Sequence, residues 1–350
     1  MALSKLRIAS KLAVTACLAA GPSHAADDVF TSAIKILQNK GTASDNDGML
    51  ILKRCQYYLS EISRGNAYGH WDVAGARKNP QVYDFIAFSV MCYQGTVDRI
   101  VSNTLSGKDA FDGMTGFFER AYASAADKSI DSYLMYVPTK YDRTRAWPLV
   151  VMLHGLGEGA FFSTASPAHQ LFLESCEKQG FIMVAPNGRN HPDRDSQKIN
   201  YGASLYMNDG EQDVMQVIEL VRKAYNIDPN RIYLTGISMG GWGTWYLGSR
   251  HPDLFAAIAP LCGWGTGELK RWKSPPVDLA GLKNMPIYAF HGEKDPVIPV
   301  SETRKMTAKL SALGAADVTY EELPGVLHNA QDFVYNDDRV FKWFLNHKRK

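Results

Sequence analysis

The chain has 350 residues, 45% of them hydrophobic, which is enough to bury a large core in one big domain or one domain with an appendage. Its formal charge of +2 owes everything to Lys5, Arg7 and Lys11, which lie in an N-terminal stretch without acids. Without that stretch the balance is slightly negative, which argues against nucleic acid or a membrane surface as the main partner.

Residues 1–25 read as an export signal. They hold a basic start, a short apolar run from Leu12 to Ala20, a Gly-Pro break, and the small residues Ser23 and Ala25 where a signal peptidase reads. The apolar run is too short to span a bilayer, and no later stretch approaches the roughly 20 apolar residues that a membrane helix needs. "VTAC", ending at Cys17, also looks like a lipoprotein cleavage box, but it follows Lys11 closely, so removal after Ala25 is the favoured reading. Such a signal predicts export, to the periplasm rather than full secretion.

Residues 27–115 predict a small bundle of three or four helices. Apolar residues recur at helical spacing in "VFTSAIKILQNK", "MLILKRCQYYLSEISRG" and "VYDFIAFSVMCYQGTVDRIVSNTL", with polar turns such as "TASDNDG" between them. Cys55 and Cys92 are the candidate disulfide, whereas Cys176 and Cys262 are expected as buried free thiols of the main domain. His70, in "GNAYGHWD", is expected to be a partly buried loop residue rather than a ligand.

Residues 117–350 change pattern. Eight β-prone runs follow one another, "FFERAYA", "SYLMYVP", "PLVVMLHG", "FIMVAPN", "RIYLTGIS", "AAIAPLCG", "PIYAFHGE" and "VTYEELPG", with helical stretches such as "QDVMQVIELVRKAY" and "VSETRKMTAKLSALG" between the later ones. Most runs from the third onward are continuously apolar, as strands covered on both faces are. The fold class expected is therefore α/β: an eight-stranded, mostly parallel sheet with helices on both faces, its first two strands forming an edge hairpin, preceded by the helical segment.

The fifth run breaks into Gly236-Ile237-Ser238-Met239-Gly240, a G-x-S-x-G pattern between a strand and a helix. A sharp strand-to-helix turn lifts a serine hydroxyl above the sheet and needs small neighbours. Serine also needs a base to take its proton and a carboxylate to orient that base. Asp295 follows the seventh strand and His328 the eighth, which gives the chain order serine, acid, histidine at successive strand ends. Glu293 and Asp332 are expected to be surface or capping carboxylates. His154 and His291, both in His-Gly steps, are expected to shape loops through backbone hydrogen bonds. The third run ends in "MLHGLGEGA", where the amide of Leu156, with Gly157 as the alternative, joins that of Met239 as the candidate oxyanion hole.

From about residue 130 to the C-terminus the chain resembles the α/β-hydrolase superfamily. The branch it resembles is that of secreted esterases, including polyhydroxybutyrate-depolymerase-like, feruloyl and acetylxylan esterases, with prolyl-oligopeptidase-type hydrolases as relatives. The resemblance rests on "PLVVMLHGLGEG", "GEQDVMQVIELVRKAYNIDPNRIYLTGISMGGWGTW", "RHPDLFAAIAPLCG", "PIYAFHGEKDPVIPV" and "ELPGVLHNA". It implies a triad of Ser238, Asp295 and His328, an oxyanion hole from Leu156 and Met239, and a structural role for Asp213.

The long loop from Asn187 to Gly210 contains Arg189, His191, Tyr201 and Tyr206. Tyr201 and Tyr206, with Trp264 beyond the sixth run, are the candidate substrate contacts, whereas Trp242 and Trp245 are expected to pack under the sheet. No spacing suggests a metal site or a phosphate loop, and a triad needs no cofactor. The expected function is that of an exported serine carboxylic-ester hydrolase acting through an acyl-enzyme, with a small-molecule or polymer-linked ester as substrate. Peptide or amide cleavage by the same triad, and partner binding through the helical segment, are the alternatives.

Overall fold

The computed structural model describes residues 24–63, 97–156, 167–187, 191–192, 199–200, 206–269 and 274–349. Most of the expected signal, together with His70 and Cys92, lies outside them. The chain divides into two compact units, one of residues up to 114 with 118–132, the other of residues 115–117 with 133–350. Among the described residues no helix is long and apolar enough to cross a membrane.

The first unit contains α1 (His24–Asn39), α2 (Asp47–Ser63) and α3 (Val97–Leu105). Phe30, Ala33, Ile34 and Leu37 recur at helical spacing in α1 and are all buried. Asn46 starts α2 by accepting the amide of Gly48 at 2.9 Å, which satisfies one of the donors that a helix N-terminus leaves open. The unit also takes β1 (Gly116–Ala123), which the sequence pattern assigns to the following domain. Ion pairing explains the difference. Arg120 of β1 reaches Asp47 at 2.6 Å and Asp109 at 2.7 Å, and the neighbouring Glu119 accepts from Arg54 at 3.2 Å. Cys55 is fully buried and its thiol pKa is pushed up chiefly by burial; the expected bridge to Cys92 involves a residue outside the described ones.

The remaining strands are β2 (Ile130–Val137), β3 (Trp147–Leu153), β4 (Ile182–Pro186), β5 (Ile227–Ile237), β6 (Ala257–Leu261), β7 (Ile287–Gly292) and β8 (Val318–Leu323). They complete an eight-stranded sheet in the order β1-β2-β4-β3-β5-β6-β7-β8. β2 runs antiparallel to β4, and every pair from β4 to β8 is parallel. All seven residues of β3 and all five of β4 and of β6 are buried, as strands covered on both faces require.

The helices of this unit are α4 (Pro167–Gln179), α5 (Asp209–Ala224), α6 (Met239–Arg250), α7 (Ser301–Ala312), α8 (Gln331–Val334) and α9 (Arg339–Leu345). α5 carries Asp209 and Glu211 in its first turn and Arg222 and Lys223 in its last, matching the helix dipole at both ends. Phe341 of α9 packs edge-on against Phe172 and Phe181, and Phe344 stacks on Tyr233 of β5. Inside the loop after β4, His191–Pro192 pairs with Ile199–Asn200. Because β4 lies on one side of β3 and β5 on the other, the direction of winding reverses at β3. In open α/β sheets the crevice beyond the strand ends at such a reversal is where ligands bind.

Candidate active site

Ser238 occupies the single-residue turn between β5 and α6, with φ 57 and ψ −115, a conformation that non-glycine residues rarely adopt. Its amide donates to Leu261 O at 2.9 Å and its carbonyl accepts from Trp242 N at 2.9 Å, so both neighbouring elements hold the turn. The glycines that follow are required by close backbone approach. A Cβ on Gly240 would collide with the carbonyl oxygen of Leu153 at the end of β3, and one on Gly241 with that of Leu261 at the end of β6. The N-terminus of α6 is thereby wedged between two strand ends, with Ser238 half-buried above them. Cys262, next after β6, also has a positive φ, at 46.

Asp295 and His328 meet directly. Nδ1 of His328 lies 2.6 Å from Asp295 Oδ2, and Oδ1 accepts the amides of Val297 at 2.8 Å and Ile298 at 2.9 Å. Burial of the carboxyl works against its ionisation. Hydrogen bonds from His291, His328 and the Ile298 amide, with the charge of His328, outweigh it and hold Asp295 well below the usual carboxylate range. An ionised carboxylate only accepts, so the His328 proton sits on Nδ1 and the lone pair of Nε2 is left facing the other way.

Ser238 stands at the end of β5, which β6 separates from β7, and its amide is linked to Leu261, the residue before Cys262. The Cys262 sulfur lies within 4.8 Å of ligand atoms of both Asp295 and His328. Among the described residues no hydrogen bond joins the Ser238 hydroxyl to His328; without substrate such contacts are commonly long and tighten on binding. Thiol, carboxylate and imidazole together form a donor set that could ligate a metal. In this structure, however, the carboxylate is engaged with the imidazole, and burial pushes the Cys262 thiol up to about 12, which keeps it protonated.

Of the expected oxyanion donors, Met239 follows the serine directly, buried at the first position of α6, and Leu156 lies beyond the end of β3, its side chain exposed. Gly157 lies outside the described residues, as do Arg189 and Tyr201.

Two candidate substrate contacts need correction. Tyr206 is 0% exposed; its hydroxyl donates to His154 O at 3.2 Å and its ring packs edge-on against His154. Trp264 is 1% exposed, donates from Nε1 to Ser274 Oγ at 2.6 Å and stacks with Trp242. Both rings fill the interior behind the site, so neither offers a face to a ligand. Trp242 and Trp245 are buried, as expected.

The competing acids and bases are otherwise engaged. Glu293 accepts the Gly325 amide at 2.8 Å, and Asp332 pairs with Asn329 at 2.9 Å. His154 donates from Nδ1 to Gly155 O at 2.8 Å, and burial, against that bond, pushes its pKa down to about 4. His291 does bond to backbone, at Ile298 O, but it also lies 3.3 Å from Asp295, a link that its His-Gly position in sequence does not reveal.

Residues 123–310, just over half of the chain, match the Esterase family model. The chain belongs to the Esterase family. It is 29% identical over 154 residues to the "Bifunctional acetylxylan esterase/xylanase XynS20E" of Neocallimastix patriciarum, covering 43% of this chain and 20% of that protein. To the "Probable feruloyl esterase C" of Aspergillus terreus it is 28% identical over 181 residues, covering 51% and 59%. The chain thus spans between a fifth and three fifths of the length of these relatives. Among solved structures it is similar to that of a thermostable esterase, with a TM-score of 0.51 and 28% identity over 67% of this chain and 63% of the other. The sheet order, the strand–serine–helix turn and this likeness make the fold that of the α/β-hydrolases.

Proposed function

We propose that this Esterase family member is an exported serine hydrolase that cleaves carboxylic esters through an acyl-enzyme. In this reading Ser238 attacks the ester carbonyl, His328 takes its proton on Nε2 and returns it to the leaving alcohol, and Asp295 orients the ring and stabilises the imidazolium. The amides of Met239 and Leu156 meet the oxyanion, each contributing on the order of 3 kcal/mol to the transition state. Water then repeats the sequence and releases the acid.

The observation that carries the reading is the 2.6 Å bond between His328 Nδ1 and a carboxylate held ionised, which leaves the Nε2 lone pair available as a base, together with the strained turn that holds Ser238 at the carboxyl end of β5. Relatives named as acetylxylan and feruloyl esterases favour ester substrates, small or linked to a polymer. Export follows from the character of residues 1–25. A panel of acyl esters, with aminoacyl amides alongside, tests the assignment on wild-type and Ser238→Ala protein. Ester turnover that disappears in the variant is the expected result. A strong preference for the amides, or turnover that survives in Ser238→Ala, would overturn it.

A further inference from the structure

The carboxylate that holds His328 has a second imidazole on the same oxygen. His291, at the end of β7, is 0% exposed, and its Nε2 lies 3.3 Å from Asp295 Oδ2 and 3.0 Å from Ile298 O. Both of those neighbours only accept, so the proton of the ring sits on Nε2 and is shared between them. Nδ1 must then accept, and the hydroxyl of Thr303, in the first turn of α7, is 2.7 Å away to donate. The competing acceptor for that hydroxyl, Gly263 O, is at 3.5 Å, the edge of hydrogen-bond range. A chain of donors, Thr303 to His291 to Asp295, therefore ends on the oxygen that faces His328.

We propose that His291 is a positioning residue for the hydrolysis, which it serves by fixing the rotation of the Asp295 carboxylate and sharing the negative charge on Oδ2. The proposal rests on the triad reading above and gives that triad a fourth, buried member that touches neither substrate nor reacting atoms. Oδ1 is pinned by two backbone amides, and with His291 in place Oδ2 is pinned as well, so the carboxylate can neither rotate nor give its whole charge to His328. Around this pair stand His328 from the loop after β8, the Cys262 thiol from the end of β6, and Glu322 of β8, which is electrostatically coupled to His291. Glu302, beside Thr303, is committed to the Thr266 hydroxyl and to the amides of Gly265 and Thr266.

Removing the donor has a definite sign. In His291→Leu more of the carboxylate charge falls on His328, the imidazolium is stabilised, and the acid limb of kcat/KM moves to higher pH, by on the order of half a unit. The loosened carboxylate lowers kcat about tenfold, and KM stays unchanged. In His291→Gln the amide nitrogen reaches the place of Nε2, so both kcat and the pH profile return most of the way to wild type. Thr303→Val, which removes the hydroxyl that keys the ring, shifts the profile in the same direction by less and serves if His291→Leu does not fold. The measurements are pH profiles of kcat and kcat/KM on an acyl ester, with melting temperatures. Folded His291→Leu, or Thr303→Val in its place, with wild-type kcat and acid limb would overturn the proposal, as would His291→Gln as impaired as His291→Leu. Ser238→Ala, assayed in parallel, separates the two claims: if it retains turnover the triad reading fails, and if it is inactive the result from His291 stands by itself.

Discussion

Asparagine at position 295 is the most discriminating substitution the geometry offers. Oδ1 of Asp295 faces the amides of Val297 and Ile298, which only donate, so the carbonyl oxygen of an asparagine must take that side. Its NH2 group then faces His328 Nδ1, which is 2.6 Å from Oδ2 in the wild type. A donor there forces Nδ1 to accept, which moves the ring proton to Nε2, the atom that has to receive the proton of Ser238. The side chain keeps its size and the site keeps its shape, yet the base is in the wrong tautomer. The expected loss in kcat is about ten-thousand-fold, which is about 5.5 kcal/mol of transition-state stabilisation. The assay is steady-state hydrolysis of an acyl ester by Asp295→Asn, normalised by active-site titration, with circular dichroism to show that the fold is retained. A folded variant that keeps more than about a tenth of wild-type kcat would refute the reasoning.

His154 provides a test by pH. Burial pushes its pKa down to about 4, against about 6.5 when unfolded. Between those values the unfolded chain binds a proton that the folded chain refuses, so stability falls as pH drops through this window and is unaffected by this group above it. Denaturant midpoints between about pH 4 and about pH 8 should fall more steeply in wild type than in His154→Gln, and equal slopes would contradict the assignment. Gly240→Ala places a methyl group against the Leu153 carbonyl; it should destabilise by about 1–3 kcal/mol and lower kcat by displacing the Met239 amide, both readable from melting curves and turnover. Arg120→Ala strips the shared cation from Asp47 and Asp109. Because both aspartates are nearly a third exposed, the expected cost is about 2–3 kcal/mol rather than the upper range for buried pairs, and urea melts showing no loss would contradict it.

What could be read from the sequence was whatever is enforced by strand position. Ser238 follows its strand directly, and Asp295 and His328 lie in the loops just after theirs, so the parallel sheet brings all three to the carboxyl ends of its strands, and the glycines after Ser238 mark the close approach of α6 to β3 and β6. The aromatic residues were less legible. A tyrosine in a long polar loop has the composition of a ligand contact, but Tyr206 sits where α6 is narrowest: a Cβ on Gly243 would lie 2.7 Å from its ring, which fills the space that glycine leaves. Trp264 follows the same logic, with its one polar atom satisfied by Ser274 and its rings free to be buried. The edge of the first unit was hidden because Arg120 pairs with Asp47, 73 residues away, as well as with Asp109, and local periodicity cannot register such pairing. For His291, a His-Gly step at a strand end accounts for backbone bonding, but nothing in the step itself reveals the carboxylate four residues later folding back onto the same ring.

Covalent labelling of the serine tests the central claim most directly. Intact protein treated with a fluorophosphonate, then digested and mapped by mass spectrometry, should carry one phosphonyl group on the peptide containing Ser238. The label should be absent in Ser238→Ala and slow to form in His328→Ala, with ester turnover lost in parallel. Labelling of a different residue, or hydrolysis that persists once Ser238 is blocked, would contradict the account.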